Sequence, residues 1–276
     1  MNNSIEIVIV LYQCSLEESV TFRTLNKQLD KITVDYEIVI YNNDKNTKIE
    51  NSCFLIVNSE ENKKLEGAYN FALEKAIKNG KSWILLLDQD TLIPENYFKE
   101  LENLFSQDIS SDLAVIVPKL TSNNKVISPV SVSSLMRFER EINSTGYTNK
   151  RINALNSLSL FSVQFINSIG GFSKEYPFDM HDHWCYNQIF KHQKEVYILN
   201  ISAEHNSSFL NLEENVSINR YKEFLKAESK FIRNELGVFK YMCHKIKLIG
   251  RSIKQMAKNK DKRYAGATLK YVFFRF

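Results

Sequence analysis

The sequence predicts an α/β fold on a mostly parallel sheet flanked by helices, followed by a basic helical extension. Over about the first hundred residues, short apolar runs rich in β-branched side chains alternate with stretches of helical periodicity. The runs are apolar on both faces, as strands of a buried parallel sheet are. Charge is divided along the chain. From Lys240 to Phe276 eleven Lys or Arg stand against one acid, Asp261, so a net charge of +4 splits into a tail of +10 and a body of −6.

The elements follow in order. "IEIVIVL" (5–11) reads as the first strand. A helix then opens at "SLEE", where Ser15 and Glu18 can form a capping box, and continues through Phe22, Leu25, Leu29 and Ile32. "YEIVIY" (36–41) and "FLIV" (54–57) are the next strands. A second helix, residues 65–78, carries Leu65, Tyr69, Ala72 and Ala76 on one stripe and ends at Asn79-Gly80. "WILLL" (83–87) is the fourth strand, Pro94 begins a third helix, and "LAVIVPKL" (113–120) is a strand stopped by Pro118. Residues 121–157 are polar and irregular, the composition of a mobile loop over a site. An apolar segment ending at Gly170-Gly171, an acid- and His-rich "PFDMHDHWCYNQIFKHQ", the strand "VYIL" (196–199) and long helices complete the chain. The division expected is an α/β domain, 1–210, and a helical extension, 211–276.

Several classes are disfavoured. No run of about 18 apolar residues is present and the N-terminus does not resemble a signal peptide, which predicts a cytosolic chain. Cys14, Cys53, Cys185 and Cys243 are dispersed, so neither a zinc ribbon nor a disulfide framework is expected, and they read as reduced, mostly buried thiols. The basic tail interleaves its cations with Tyr241, Met242, Ile246, Leu248, Ile249, Ile253 and Met256. That composition suits an anchor on an anionic membrane surface, peripheral on the inner face of the plasma membrane, or a solvated basic helix. Nucleic acid is not expected, because no binding motif accompanies the charge.

"WILLLDQDT" (83–91) places Asp88 and Asp90 at the carboxyl end of a strand, where open α/β sheets bind ligands. In an extended strand end the two would point one way and Gln89 the other. Two such carboxylates repel unless a cation neutralises them, and a hard divalent ion with a diphosphate does so. Alternatives are a solvated strand end and a phosphatase nucleophile of the hhhhDxDx[TV] type, for which Thr91 stands one position too early. Gly170-Gly171-Phe172 can admit a sugar or acceptor close to the backbone, or cap a helix. His181, His183 and His205 could be read as a zinc site, but residues two apart on a helix do not share a face.

In their order, "IVIVLYQ", "IVIYNND", "NKKLEGAYNFALEKAIKNGKSWILLLDQDT", "INSIGGFSKEYPFD" and a later "AEH" resemble the family 2 glycosyltransferases of the GT-A fold, in particular their rhamnosyltransferase-like bacterial branch. The resemblance implies an inverting transfer from a dTDP- or UDP-linked sugar, rhamnose foremost, to a lipid-linked surface-polysaccharide acceptor. Mg²⁺ or Mn²⁺ would be held by Asp90, with Asp88 and His205. Leu11, Tyr12, Gln13, Asn43, Asn70, Asp88 and Gln89 would surround the donor. Where the family places an acid for the nucleobase the chain has Tyr41, so either Tyr41 stacks on the base or Asp44 takes the contact. Asp182 occupies the position of the general base, with a helix N-cap as its plain alternative and Asp179 as the second candidate. Gly171, His183 and Trp184 would meet the acceptor. A non-catalytic subunit binding nucleotide or glycan is the second class.

Overall fold

The computed structural model describes residues 3–123, 125–133, 139–205 and 216–273. Strands β1 (Ile5–Leu11), β2 (Tyr36–Asn42), β3 (Leu55–Asn58) and β4 (Trp83–Asp88) form wherever the β-branched runs predict them. They pair in parallel in the order β3-β2-β1-β4. Because the chain enters the sheet at β1 and later returns to its other side at β4, the crevice above β1 and β4 is a topological switch point. Beyond β4 the sheet continues through β11 (Ser159–Ser162), β5 (Leu113–Ser122), β12 (Glu195–Glu204) and β9 (Gly146–Thr148), with β6 (Lys125–Ser128) on β5. β11 and β9 run antiparallel to their neighbours, so the sheet is mixed with a parallel majority.

Alternation along β1 feeds two apolar layers. Ile5, Ile7, Ile9 and Leu11 pack in one layer with Leu25 of α1 (Val20–Asn26) and Leu101 of α3 (Tyr97–Phe105). Val8 and Val10 pack in the other with Ala72 and Ala76 of α2 (Lys64–Lys78) and Trp184 of α5 (His181–Lys191). The short α4 (Val163–Ser168) ends in two left-handed glycines, Gly170 at φ +86° and Gly171 at φ +88°.

Several expectations are corrected. The Ser15–Glu18 capping box forms, with Ser15 N donating to Glu18 Oε2 at 2.9 Å, but it closes a turn, and α1 starts at its own cap, Ser19. Leu29 falls in a separate 3₁₀ turn. The third helix starts at Tyr97, three residues after Pro94. Pro118 does not end β5. Pairing with β12 is broken between Ile198 and Ser202, opposite Pro118, so its missing N–H removes no ladder bond. The polar stretch 121–157 forms strands where described, including the three-stranded sheet β10 (Ile152–Asn153), β7 (Val130–Val132) and β8 (Glu139–Glu141). Of the cysteines only Cys185 is buried, and Cys53 is exposed.

The extension is a helical hairpin and a third helix: α6 (Ile218–Leu236), α7 (Val238–Lys258) and α8 (Arg263–Phe273), with Gly237 at φ +89° between the first two. Tyr221, Leu225, Leu248, Tyr264 and Val272 make its own small core. Phe231 and Ile232 of α6 belong to the core of the sheet, so the extension is packed on the larger body. Arg251 of α7 holds Glu228 of α6 through two bonds of 2.7 Å. The expected boundary at residues 210 and 211 lies outside the described residues.

Candidate active site

β4 delivers its side chains to the core as far as Leu87 and then presents Asp88, half-buried in the crevice. The chain turns immediately. Gln89 and Asp90 are in a turn, so the extended-strand geometry that would align Asp88 with Asp90 ends one residue early, and Asp90 is exposed. Gln89 braces the neighbouring loop: its Oε1 accepts from Tyr12 N at 2.8 Å and its carbonyl accepts from Ser19 Oγ at 2.9 Å.

Thr91 locks the turn. It is fully buried, its N–H bonds to Thr21 Oγ1 at 2.9 Å, and the Thr21 hydroxyl donates to the Thr91 carbonyl at 2.8 Å. Its own hydroxyl meets Ser157 Oγ at 2.5 Å and His205 Nδ1 at 3.2 Å. Thus residues from α1, from the segment before β11 and from the end of β12 hold the turn that carries Asp90. Burial, and then the charge of Asp90, push the Asp88 carboxyl up to about 6, against the pull of His205, Ser157 and Tyr69. The Tyr69 hydroxyl is buried beside it, and burial, then the charges of Asp88 and Asp182, raise its own pKa.

Asp182 lies in the first turn of α5. Burial raises its carboxyl to about 7 and the charge of Asp88 adds to the rise, while the backbone N–H groups of Asn156 and of Asp182 itself pull it down. Asp179, the second candidate for base, is gripped by Arg220 of α6 through two bonds of 2.5 and 2.6 Å. Both its oxygens are committed to that guanidinium. His181 is buried with Nδ1 bonded to the Tyr176 carbonyl at 2.7 Å, and burial drops it to about 4. His183 packs edge-on against Phe231. The three histidines therefore do not converge.

The donor set fits a hard cation completed by its ligand. Among the described residues no three His, Cys, Asp or Glu side chains close around one point. Mg²⁺ is commonly held by one or two carboxylates with phosphate oxygens and waters, which Asp88 and Asp90 can supply in part. His205 leaves Nε2 as its remaining ring nitrogen.

The glycosyl transferase family 2 profile matches residues 6–166, a range that includes Asp88 and Asp90. The chain belongs to glycosyl transferase family 2. Among solved structures it is similar to S. aureus TarS, at 13% identity and a TM-score of 0.54, covering 94% of this chain and 46% of that one. It is also similar to S. aureus TarS 1-349 in complex with UDP-GlcNAc, at 12% identity and a TM-score of 0.50, covering 98% of this chain and 71% of that one. At these identities the likeness is one of fold, and the chain spans less than half of the longer TarS chain. No curated protein sequence matches it.

Within this glycosyltransferase, a depression lies over the ends of β1 and β2, lined by Tyr12, Asn43, Asp44, Lys45 and Asn46 among others. Tyr12 is 45% exposed there and Gln13, at φ +53°, turns the chain away. Other expected donor contacts are spent on structure. Leu11 is fully buried. Tyr41 is buried edge-on against Phe71, so its ring cannot stack on a base. Asn43 binds Lys63 N and the Lys64 carbonyl, at 2.9 and 2.8 Å, fixing the start of α2. Asn70 clamps the backbone of Phe172 through bonds of 2.9 and 3.0 Å. Asp44 accepts from Asn46 N, Asn46 Nδ2 and Thr47 Oγ1, the first of which chiefly lowers its pKa. A carboxylate has about four acceptor sites, so one remains for a ligand. Of the expected acceptor residues, Trp184 is packed in the core, and a Cβ on Gly171 would lie 2.7 Å from Asn70 Oδ1, so the missing side chain at that glycine leaves room for Asn70.

Thr91, Ser157, Asn156 and Arg220 were not legible as site residues. Only Thr91 carried a signal, as the last letter of DQDT. Ser157 and Asn156 stood in an apparent loop, and Arg220 lay in the extension.

Proposed function

We propose that the protein transfers a sugar from a nucleotide-sugar donor to an acceptor hydroxyl with inversion, using Asp182 as the base. The observation that carries this reading is the pairing of Asp88, at the carboxyl end of β4, with Asp182, in the first turn of α5, near enough that the charge of Asp88 adds to the rise that burial gives Asp182. A base works best with a pKa close to the working pH. Asp182 takes the hydroxyl proton as the acceptor oxygen bonds to the anomeric carbon. The bond from that carbon to the diphosphate oxygen breaks, and the nucleoside diphosphate leaves with the electron pair. Mg²⁺ or Mn²⁺ would be held by Asp90 and Asp88, with His205 as a further ligand, and would supply positive charge to the leaving diphosphate. Asp44 and Tyr12 line the base pocket, and the buttress from Thr91 fixes the turn that carries Asp90.

For the donor, UDP-linked sugars are supported by likeness to a TarS structure that holds UDP-GlcNAc. dTDP-rhamnose is supported by the sequence resemblance to the rhamnosyltransferase-like branch. A lipid-linked glycan is the acceptor we carry forward on the same resemblance. A thermal-shift panel of nucleoside diphosphates and nucleotide sugars, with and without Mn²⁺, tests the reading. One nucleotide should stabilise the protein only with metal, and Asp90→Ala should remove that shift without loss of fold. Donor binding with no release of nucleoside diphosphate in the presence of any acceptor would instead make the protein a binding subunit.

A further inference from the structure

The outer side of α7 has no part in this chemistry. The helix turns Tyr241, His244, Leu248, Ser252 and Gln255 inward. On its other side Phe239, Met242, Ile246, Ile249, Ile253 and Met256 stand 42–68% exposed. Their spacing of three and four residues makes one continuous ridge, and 21 residues of helix make it about 30 Å long. Soluble monomers rarely leave an apolar strip of that extent open to water.

The borders of the ridge are cationic. Lys240, Lys247 and Lys254 recur every seven residues along one border, Lys245 lies on the other, and α7 contains no Asp or Glu. α8 adds Leu269 and Phe273, 44% and 77% exposed, with Lys262 and Lys270 nearby in sequence. Among the described residues no helix is long and apolar enough to cross a membrane. An amphipathic helix of this kind lies in the plane of an interface, apolar side down and cations at the headgroups.

We propose that this face of α7 docks the protein on an anionic phospholipid bilayer. Charge decides between a bilayer and a second copy of the chain. Two α7 helices packed ridge to ridge would set lysine rows against lysine rows; α7 has no Asp or Glu, and Glu228 of α6, whose charge Lys247 feels, is already held by Arg251. Anionic headgroups answer both rows at once. The Glu228–Arg251 clamp and the shared α6–α7 core hold α7 against α6, so the ridge is presented by a preformed surface and not by a segment that must fold on contact.

Sedimentation of the full chain with vesicles tests this. It should partition onto mixed phosphatidylcholine–phosphatidylglycerol vesicles and far less onto phosphatidylcholine alone. The double variant Ile246→Glu/Ile253→Glu should lower partitioning by about tenfold or more, because it places two charges at the apolar boundary. Circular dichroism and thermal stability should be unchanged, as both side chains are exposed. Lys240→Gln/Lys247→Gln/Lys254→Gln should weaken binding and flatten its dependence on salt. Equal partitioning of wild type and the Glu variant, or no partitioning onto either vesicle, overturns the proposal. So does a dimer in sedimentation equilibrium that the same double variant dissociates, since that assigns the ridge to a second copy.

Discussion

The two ends of the sheet hold acids raised by burial to similar values, yet only one end is built for chemistry. At the amino end of β1, Glu6 is 1% exposed, both its oxygens lack a hydrogen-bond partner, and burial followed by the charge of Glu37 raises it to about 7. The nearby cation, Lys81, is spent on Asp35 and Glu37 at 2.9 and 3.2 Å. At the carboxyl end, Asp182 reaches the same value for the same first reason, but the charge of a second acid, Asp88, adds to its rise, and it accepts backbone N–H groups. A raised pKa therefore reports burial. Function needs convergence and an opening as well.

The largest test of that contrast is Asp182→Asn. Transfer, followed by nucleoside diphosphate release, should fall by about 10²–10⁴-fold, the usual worth of a general base. The metal-dependent thermal shift with donor should survive, and near-wild-type turnover would remove Asp182 from the role.

Glu6→Gln probes the other end and should leave transfer untouched while changing stability. The folded-state pKa of Glu6 lies above its ordinary 4.5, so the folded protein keeps a proton that the unfolded chain releases. Wild-type stability should then decline as pH rises from 4.5 to about 7, by about 3 kcal/mol in all, and the Gln variant should lack that decline. Urea melts at pH 4.5 and 8 measure it; a gap between the two proteins that does not change with pH would show that Glu6 is ionised in the fold.

Gly171→Ala returns to the carboxyl end with a smaller effect. Its φ of +88° and the 2.7 Å approach of Asn70 Oδ1 should cost about 1–3 kcal/mol, seen as a lower Tm. Smallest per unit is the pH dependence of wild-type kcat/KM. Its acid limb should rise about tenfold per pH unit to a plateau above about 7 in the absence of metal effects, and cation bound beside Asp88 should move that limb down. A flat profile through this range would argue against a carboxylate base near neutrality.

Much of the fold was legible because parallel strands are buried on both faces, and such runs announce themselves locally. β1 runs over the residues its apolar run marks out, and α2 starts one residue before its predicted bound. What misled was local chemistry overruled by distant partners. The Ser15–Glu18 box forms as drawn, yet the helix starts four residues later, where Ser19 also reaches Gln89. Pro118 reads as a strand end, and an irregularity in a strand eighty residues on accommodates it. Polar residues 121–157 read as loop because edge strands carry no two-sided apolar pattern.

By itself the sequence determined the α/β class, the carboxyl-end position of Asp88, the place of Asp182 in a helix's first turn and the amphipathic character of α7. Each depends on residue type and spacing within one element. Only the tertiary structure decided that Arg220 occupies Asp179, that Tyr41 and Trp184 are core, that Asn43 and Asn70 bind backbone, and that Thr91, Ser157 and His205 buttress the turn. These roles join side chains far apart in the chain. A polar side chain has few donors and acceptors, and which partner takes them is settled by what the fold brings within hydrogen-bond reach.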